Sequence, residues 1–167
     1  LGQVLDRQQR WLPSVKGLPT EVVSAYPKIS KGENYRGLPY QVLDYPRYFH
    51  RENVFAVRTL FWWGHFFSVT LHLSGIYKKL AQERVTAQYE WLSEQNYYCC
   101  INEDEWEHHF EEDNYLPVSK LEKDSFITIT GERSFIKLSR SYSLEKWDEM
   151  TERLFTDFRG LIEMVAG

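Results

Sequence analysis

Two histidines stand among seven carboxylates in NEDEWEHHFEEDN, residues 102–114. Imidazole and carboxylate together form the donor set of Zn, Mn and Fe sites. On a helix, Glu105 and His109 would be i,i+4 neighbours, as would His108 and Glu112. Glu105, His108, His109 and Glu112 are therefore the candidate metal ligands. Glu105-Trp106-Glu107-His108 has the Glu-x-x-His spacing of di-iron bundles, but such a bundle needs two of these motifs plus two more Glu, and the chain has one. No HExxH is present. Imidazole is also the usual proton carrier near neutral pH. An acid–base role for His72, His108 and His109 with Glu105 and Glu112 thus stands beside the metal one. The plain counterpart is a solvated helical turn anchored by Trp106 and Phe110, its early acids favoured by the helix dipole.

A second set comes from Asn53–Leu73, NVFAVRTLFWWGHFFSVTLHL. The stretch is too long for one strand, and Arg58, His65 and His72 interrupt it as a membrane helix. Gly64-His65 suits a two-residue type II′ turn, which takes glycine first. That predicts strands at 54–63 and 65–73, with Trp63 opposite Phe66, Phe61 opposite Ser68, Thr59 opposite Thr70 and Val57 opposite His72. One face is then apolar and the other mixes aromatics with hydroxyls and one imidazole. Arg58 falls on the apolar face, against the pattern. Binding pockets are mostly apolar with a few placed polar groups, so Trp63, Thr59, Ser68, Thr70 and His72 are the candidate ligand contacts. The alternative is a second packed face, with Thr and Ser present for strand propensity.

A third set is basic. Lys28, Lys31 and Arg36 flank Gly32 and Gly37 in KISKGENYRGL, which reads as a loop. Glycines beside cations can build an anion-binding loop, and Arg47 and Arg51 would extend it. Neither a Walker A nor a dinucleotide fingerprint is present. The net charge of −4 argues against general nucleic-acid binding, which needs a basic surface. Residues 1–60 carry a net +4 and the remainder a net −8, an asymmetry that lets the two regions attract each other within one fold.

These sets need elements to hold them. Residues 3–12 read as a helix stopped by Pro13, and Thr20 can cap a short second one. Residues 76–94 read as a helix after Ser74. Leu144, Trp147, Thr151, Leu154, Phe158, Leu161 and Val165 alternate spacings of three and four, which predicts a helix over 143–165 with one broad apolar face. The same spacing permits a dimer seam, so monomer and homodimer both stand. Strands are expected at 40–45 and 97–102, with a second hairpin at 126–130 and 133–139 turning on Gly131-Glu132. Short hairpins imply antiparallel pairing.

The expected architecture is α+β: one domain, 1–167, with a mainly antiparallel, twisted sheet of about six strands. N-terminal, central and C-terminal helices pack on it, mainly on one face. Cys99 and Cys100 are adjacent and would point to opposite faces of a strand, so they cannot bridge. Two reduced thiols, no signal-peptide pattern and no membrane-spanning run give an expectation of a cytoplasmic protein. Three functional readings follow: a non-catalytic domain binding a small molecule or a protein, a metal-dependent or acid–base enzyme, and an anion or phosphate binder.

Overall fold

Strand pairing decides where the candidate residues lie. The computed structural model describes residues 1–167 and has seven antiparallel strands in one sheet with six α-helices. The strands are β1 (Lys28–Tyr35), β2 (Leu38–His50), β3 (Asn53–Trp62), β4 (Phe66–Ser74), β5 (Tyr98–Cys100), β6 (Tyr115–Pro117) and β7 (Phe135–Ser143). Their order across the sheet is β1-β2-β3-β4-β7-β5-β6. The helices are α1 (Gly2–Trp11), α2 (Thr20–Val23), α3 (Gly75–Ala87), α4 (Tyr89–Glu94), α5 (Lys123–Glu132) and α6 (Met150–Val165). The expected α+β class holds, with seven strands in place of six. No helix is long and apolar enough to cross a membrane.

The central hairpin forms, but its register differs by one residue from the two-residue turn. Trp62 pairs with Phe66 and Arg58 with Thr70, so the loop is Trp63-Gly64-His65. Two contacts accompany the longer loop, the first of them made by Trp63. Its N–H donates to the carbonyl of Pro39 in β2, and the Trp62 and His65 rings stack with centroids 3.7 Å apart. Gly64 takes φ +73°, a region glycine enters without a Cβ penalty. Because side chains alternate along a strand, the slip turns β4 over relative to β3. Phe55, Val57, Thr59 and Phe61 share a face with Phe67, Val69, Leu71 and Leu73. Arg58 joins Ser68, Thr70 and His72 on the other face, which resolves its misfit.

The first face carries the main core. Val57, Phe61, Val69 and Leu71 pack with Val4 of α1, Tyr77 and Ala81 of α3, and Leu154, Phe158 and Leu161 of α6. Each fully buried side chain of this size contributes about 1.5–3 kcal/mol. The helices therefore cover one face, and the other is left to be covered by something else.

Several expected elements change. Residues 28–35 are an edge strand, not a loop, and their exposed pattern with Lys28 and Lys31 is typical of a protected edge. Strand β2 runs through Pro46, where the register shifts between Asp44 and Arg47, because a bulge tolerates a residue without an N–H. The expected strand at 126–130 lies in helix α5. There Phe126 and Thr130, four apart, are both buried, and the Thr130 hydroxyl donates to the Phe126 carbonyl at 2.8 Å. Packing outweighs the strand propensity of the Ile-Thr repeat. The helix expected over 76–94 breaks at Gln88. Residues Leu144–Glu149 form a 3-10 segment with non-helical angles at Lys146, so α6 starts at Met150 and Trp147 leaves the stripe. Residues 102–114 contain no helix; they form an irregular strap between β5 and β6. Cys99 packs in the main core and Cys100 in a small cluster on the opposite face, and both are free thiols.

Helix α3 opens on Gly75, whose φ is +57°. A Cβ there would stand 2.1 Å from Asn53 Oδ1 and 2.8 Å from the Glu52 carbonyl oxygen. Asn53 Oδ1 is also the acceptor that caps the helix, taking the Ile76 N–H at 2.9 Å. Gly75→Ala is expected to cost about 2–3 kcal/mol, from left-handed strain plus a displaced cap. A urea titration checks this, and an unchanged midpoint would show that the turn adjusts freely.

Candidate functional site

The helix-free face of the sheet carries a polar floor drawn from four strands: Asp44 on β2, Arg58 on β3, Thr70 and His72 on β4, Lys137 and Ser139 on β7. The strap of residues 102–114 lies across it and is tied down side chain by side chain. Arg58 grips Asp44 with two bonds, Nε to Oδ1 at 2.7 Å and Nη2 to Oδ2 at 3.0 Å. Its remaining nitrogen reaches His108 Nε2 at 3.0 Å. A guanidinium only donates, so His108 Nε2 accepts and its ring proton sits on Nδ1. His72 Nε2 lies 2.8 Å from Glu105 Oε2. The Lys137 ammonium donates to the carbonyls of Glu105, at 2.8 Å, and of Glu107. Tyr35 donates to the Glu107 carboxylate at 2.8 Å and accepts the backbone N–H groups of His108 and His109. The Thr70 and Ser139 hydroxyls pair at 2.7 Å.

Burial sets the charge state of this cluster. It pushes His72 and His108 below the ordinary histidine value, His108 strongly, and the nearby Lys137 and Arg58 cations act in the same sense. The hydrogen bond from His72 holds Glu105 below the usual carboxylate range. Burial also pulls Lys137 down to about 8. At neutral pH His72 is therefore uncharged, its Nε2–H donates to an ionised Glu105, and its Nδ1 lone pair is uncommitted. Between Arg58, Thr70, His72, Glu105, His108 and Lys137 lies a nook of about 10 Å³, the size of a single water. Next to it, sharing Phe49 and Glu105 as walls, is a cleft of about 440 Å³. Trp106 and Phe49, 6.2 Å apart, form its aromatic side.

The structure regroups the residues singled out in the sequence. His72, Glu105 and His108 come together, with Ser68 and Thr70 on the same face. Thr59 is on the core face, buried with its hydroxyl unpaired, and Trp63 lies beyond the sheet ladder on the helix side. Of the four candidate metal ligands, Glu105 is engaged by His72 and His108 by Arg58. His109 instead faces Glu111 and Asp113, at 3.6 and 3.8 Å, and Glu112 is exposed. His109, Glu111 and Asp113 bring one ligand atom each within 4.8 Å of one another, a trio that shares only His109 with the expected four. The basic set does not gather. Arg36 and Arg51 lie in the turns at opposite ends of the 13-residue β2, roughly 40 Å apart at the usual rise per residue. Lys28 and Lys31 are on β1, Arg36 pairs with Glu111 at 2.8 Å, and Arg47 lies over the Phe49 ring. Asp44, Arg58, Lys137 and Tyr35 are not among the sequence candidates; the misfit of Arg58 on an apolar face is a signal of the hairpin register alone.

The buried imidazoles give a pH dependence of known sign. The folded values of His72 and His108 lie below 6.5, so the unfolded chain takes up protons first as pH falls. Their contribution is fully present above about pH 6.5 and is lost as pH falls toward the folded values, at about 1.4 kcal/mol per pH unit for each proton bound only by the unfolded chain. Urea midpoints should drop between pH 7 and 5.5, and the drop should flatten in a His72→Gln, His108→Gln double variant. An equally steep drop in that variant would place the proton uptake elsewhere.

Comparison with protein-family models, curated proteins and solved structures finds no match for this chain.

Proposed function

We propose that the chain is a small-molecule-binding domain whose site is the strap-covered polar face, with Glu105, oriented by His72, as a polar anchor of the 440 Å³ cleft. The observation that carries this reading is Glu105, which lines both the buried nook and the open cleft while its carboxylate is held by His72 from the nook side. Burying Asp44, His72 and Lys137 beside the partly covered Arg58 and Glu105 adds little to stability compared with an apolar cover. Such groups concentrate where ligands bind, although structural ion networks also contain them. The apolar stripe of α6 packs in the domain's own core, which favours a monomer. Two buried free thiols suit a reducing compartment, so a cytoplasmic location goes with the reading.

The test is a fragment screen on isotopically labelled protein, read from the His72 imidazole and Trp106 indole signals. Hits should shift both signals and lose affinity in Glu105→Gln and His72→Gln. Hits that all map elsewhere, or that bind both variants unchanged, would sink the reading.

One observation favours a second reading at the same place. An uncharged imidazole, oriented through Nε2 by a carboxylate and with Nδ1 free, is the arrangement of a general base, and the nook beside it has room for one water. On that reading, His72→Gln abolishes turnover of a bound ligand while leaving its affinity within a few-fold. Turnover that survives the substitution removes it.

A further inference from the structure

A cavity larger than the strap-side cleft lies on the other side of the sheet. It measures about 560 Å³ and lies between the start of α1, the end of the β3–β4 hairpin and the start of α6. Its walls are aromatic. Phe61 and Phe67 stack with centroids 4.7 Å apart, Trp147 stands edge-on to Phe61 at 5.3 Å, and Trp63 lies 4.9 Å from Phe61. The cavity exists because of two departures from regular structure already described. The three-residue loop takes Trp63 out of the ladder, and the non-helical angles at Lys146 take Trp147 off the α6 stripe. Both indoles remain about half exposed.

We infer that this cavity is a binding site for an uncharged, ring-bearing small molecule. Its volume falls in the range of pockets that enclose such ligands. None of its 12 lining residues has an ionisable side chain, so a charged ligand would meet no side-chain counter-ion there. The aromatic walls offer stacked and edge-on contacts to a flat ring. The amides of Gln3 and Gln41 and the hydroxyl of Thr151 are the hydrogen-bonding groups within reach; Thr151 itself donates to Gln3 Oε1 across a long 3.3 Å. The site is independent of the strap-covered one, since no residue lines both.

The test uses N-phenyl-1-naphthylamine, a neutral two-ring probe, followed by its fluorescence and by quenching of the tryptophans. Saturable binding of one probe per chain is expected. Trp147→Ala removes a wall and Thr151→Phe fills the space, and each should weaken binding by about tenfold or more. His72→Gln should leave it unchanged. Either of the first two variants suffices if the other folds poorly. Non-saturable binding, or binding unaltered in whichever of those variants fold, overturns the inference. So does a concentration-dependent dimer that excludes the probe, because the cavity would then belong to a contact between two copies.

Discussion

Arg58→Ala is expected to lose about 3–5 kcal/mol of folding stability, the range for removing one partner of a buried ion pair. The Asp44 side chain is only 8% exposed, and the substitution leaves its carboxylate without either of its guanidinium bonds. His108 loses its donor at the same time, so the strap is loosened along with the sheet. A compensated variant separates these costs from the value of the pair itself. Arg58→Met with Asp44→Leu removes both charges together, and apolar replacements of buried pairs are often neutral or stabilising. The double variant should therefore recover most of the loss in urea unfolding. If Arg58→Ala costs less than about 1 kcal/mol, the pair behaves like a solvent-exposed bridge, and the strap does not seal the polar face.

Phe158→Ala is expected to cost a similar 3–5 kcal/mol, the usual cost of emptying a buried phenylalanine site. Phe158 is fully buried, with the Trp11 ring packed edge-on at 5.9 Å, so the surrounding helices and sheet cannot easily collapse into the space. Trp147→Ala is the informative control. Trp147 and Phe158 fall on one stripe in the sequence, and a continuous helix would bury both. In the structure the stripe is broken before Met150 and Trp147 is exposed, so its removal should change stability by no more than about 0.5–1 kcal/mol. Equal costs for the two substitutions would mean that the helix runs through from Ser143.

This contrast shows how periodicity works and where it stops. The α6 stripe and the alternation of the central strands are legible because the core that fills them is wide and one-sided. Strand β1 is not, because an edge strand with Lys28, Lys31 and Glu33 outward reads like a polar loop. Helix α5 is not, because ITIT alternates as a strand does, and only burial of Phe126 and Thr130 against other elements decides for the helix. The hairpin register depends on the carbonyl of Pro39, a contact outside the hairpin, so the two-residue turn was the locally better choice. For the site, the residue types at 103–113 and at His72 were visible. Their union was not, because Asp44, Arg58, His72 and Lys137 come from four strands whose neighbours are set by the sheet order.

That order also has a consequence for how the protein is made. The chain leaves the sheet at Ser74 and returns to the same strand, β4, only with Phe135. The short strands β5 and β6, synthesised in between, pair only with each other and with β7. At ordinary elongation speeds of about 5–20 residues per second, the free edge of β4 waits roughly 3–12 s on the ribosome for its neighbour. Closing so long a loop is slow as well as late. During that interval the apolar run Phe67, Val69, Leu71 and Leu73 lies along an unpaired edge, the kind of surface that recruits other strands. A nascent chain of this sequence therefore carries an aggregation-prone edge until β7 emerges and joins the two halves of the sheet.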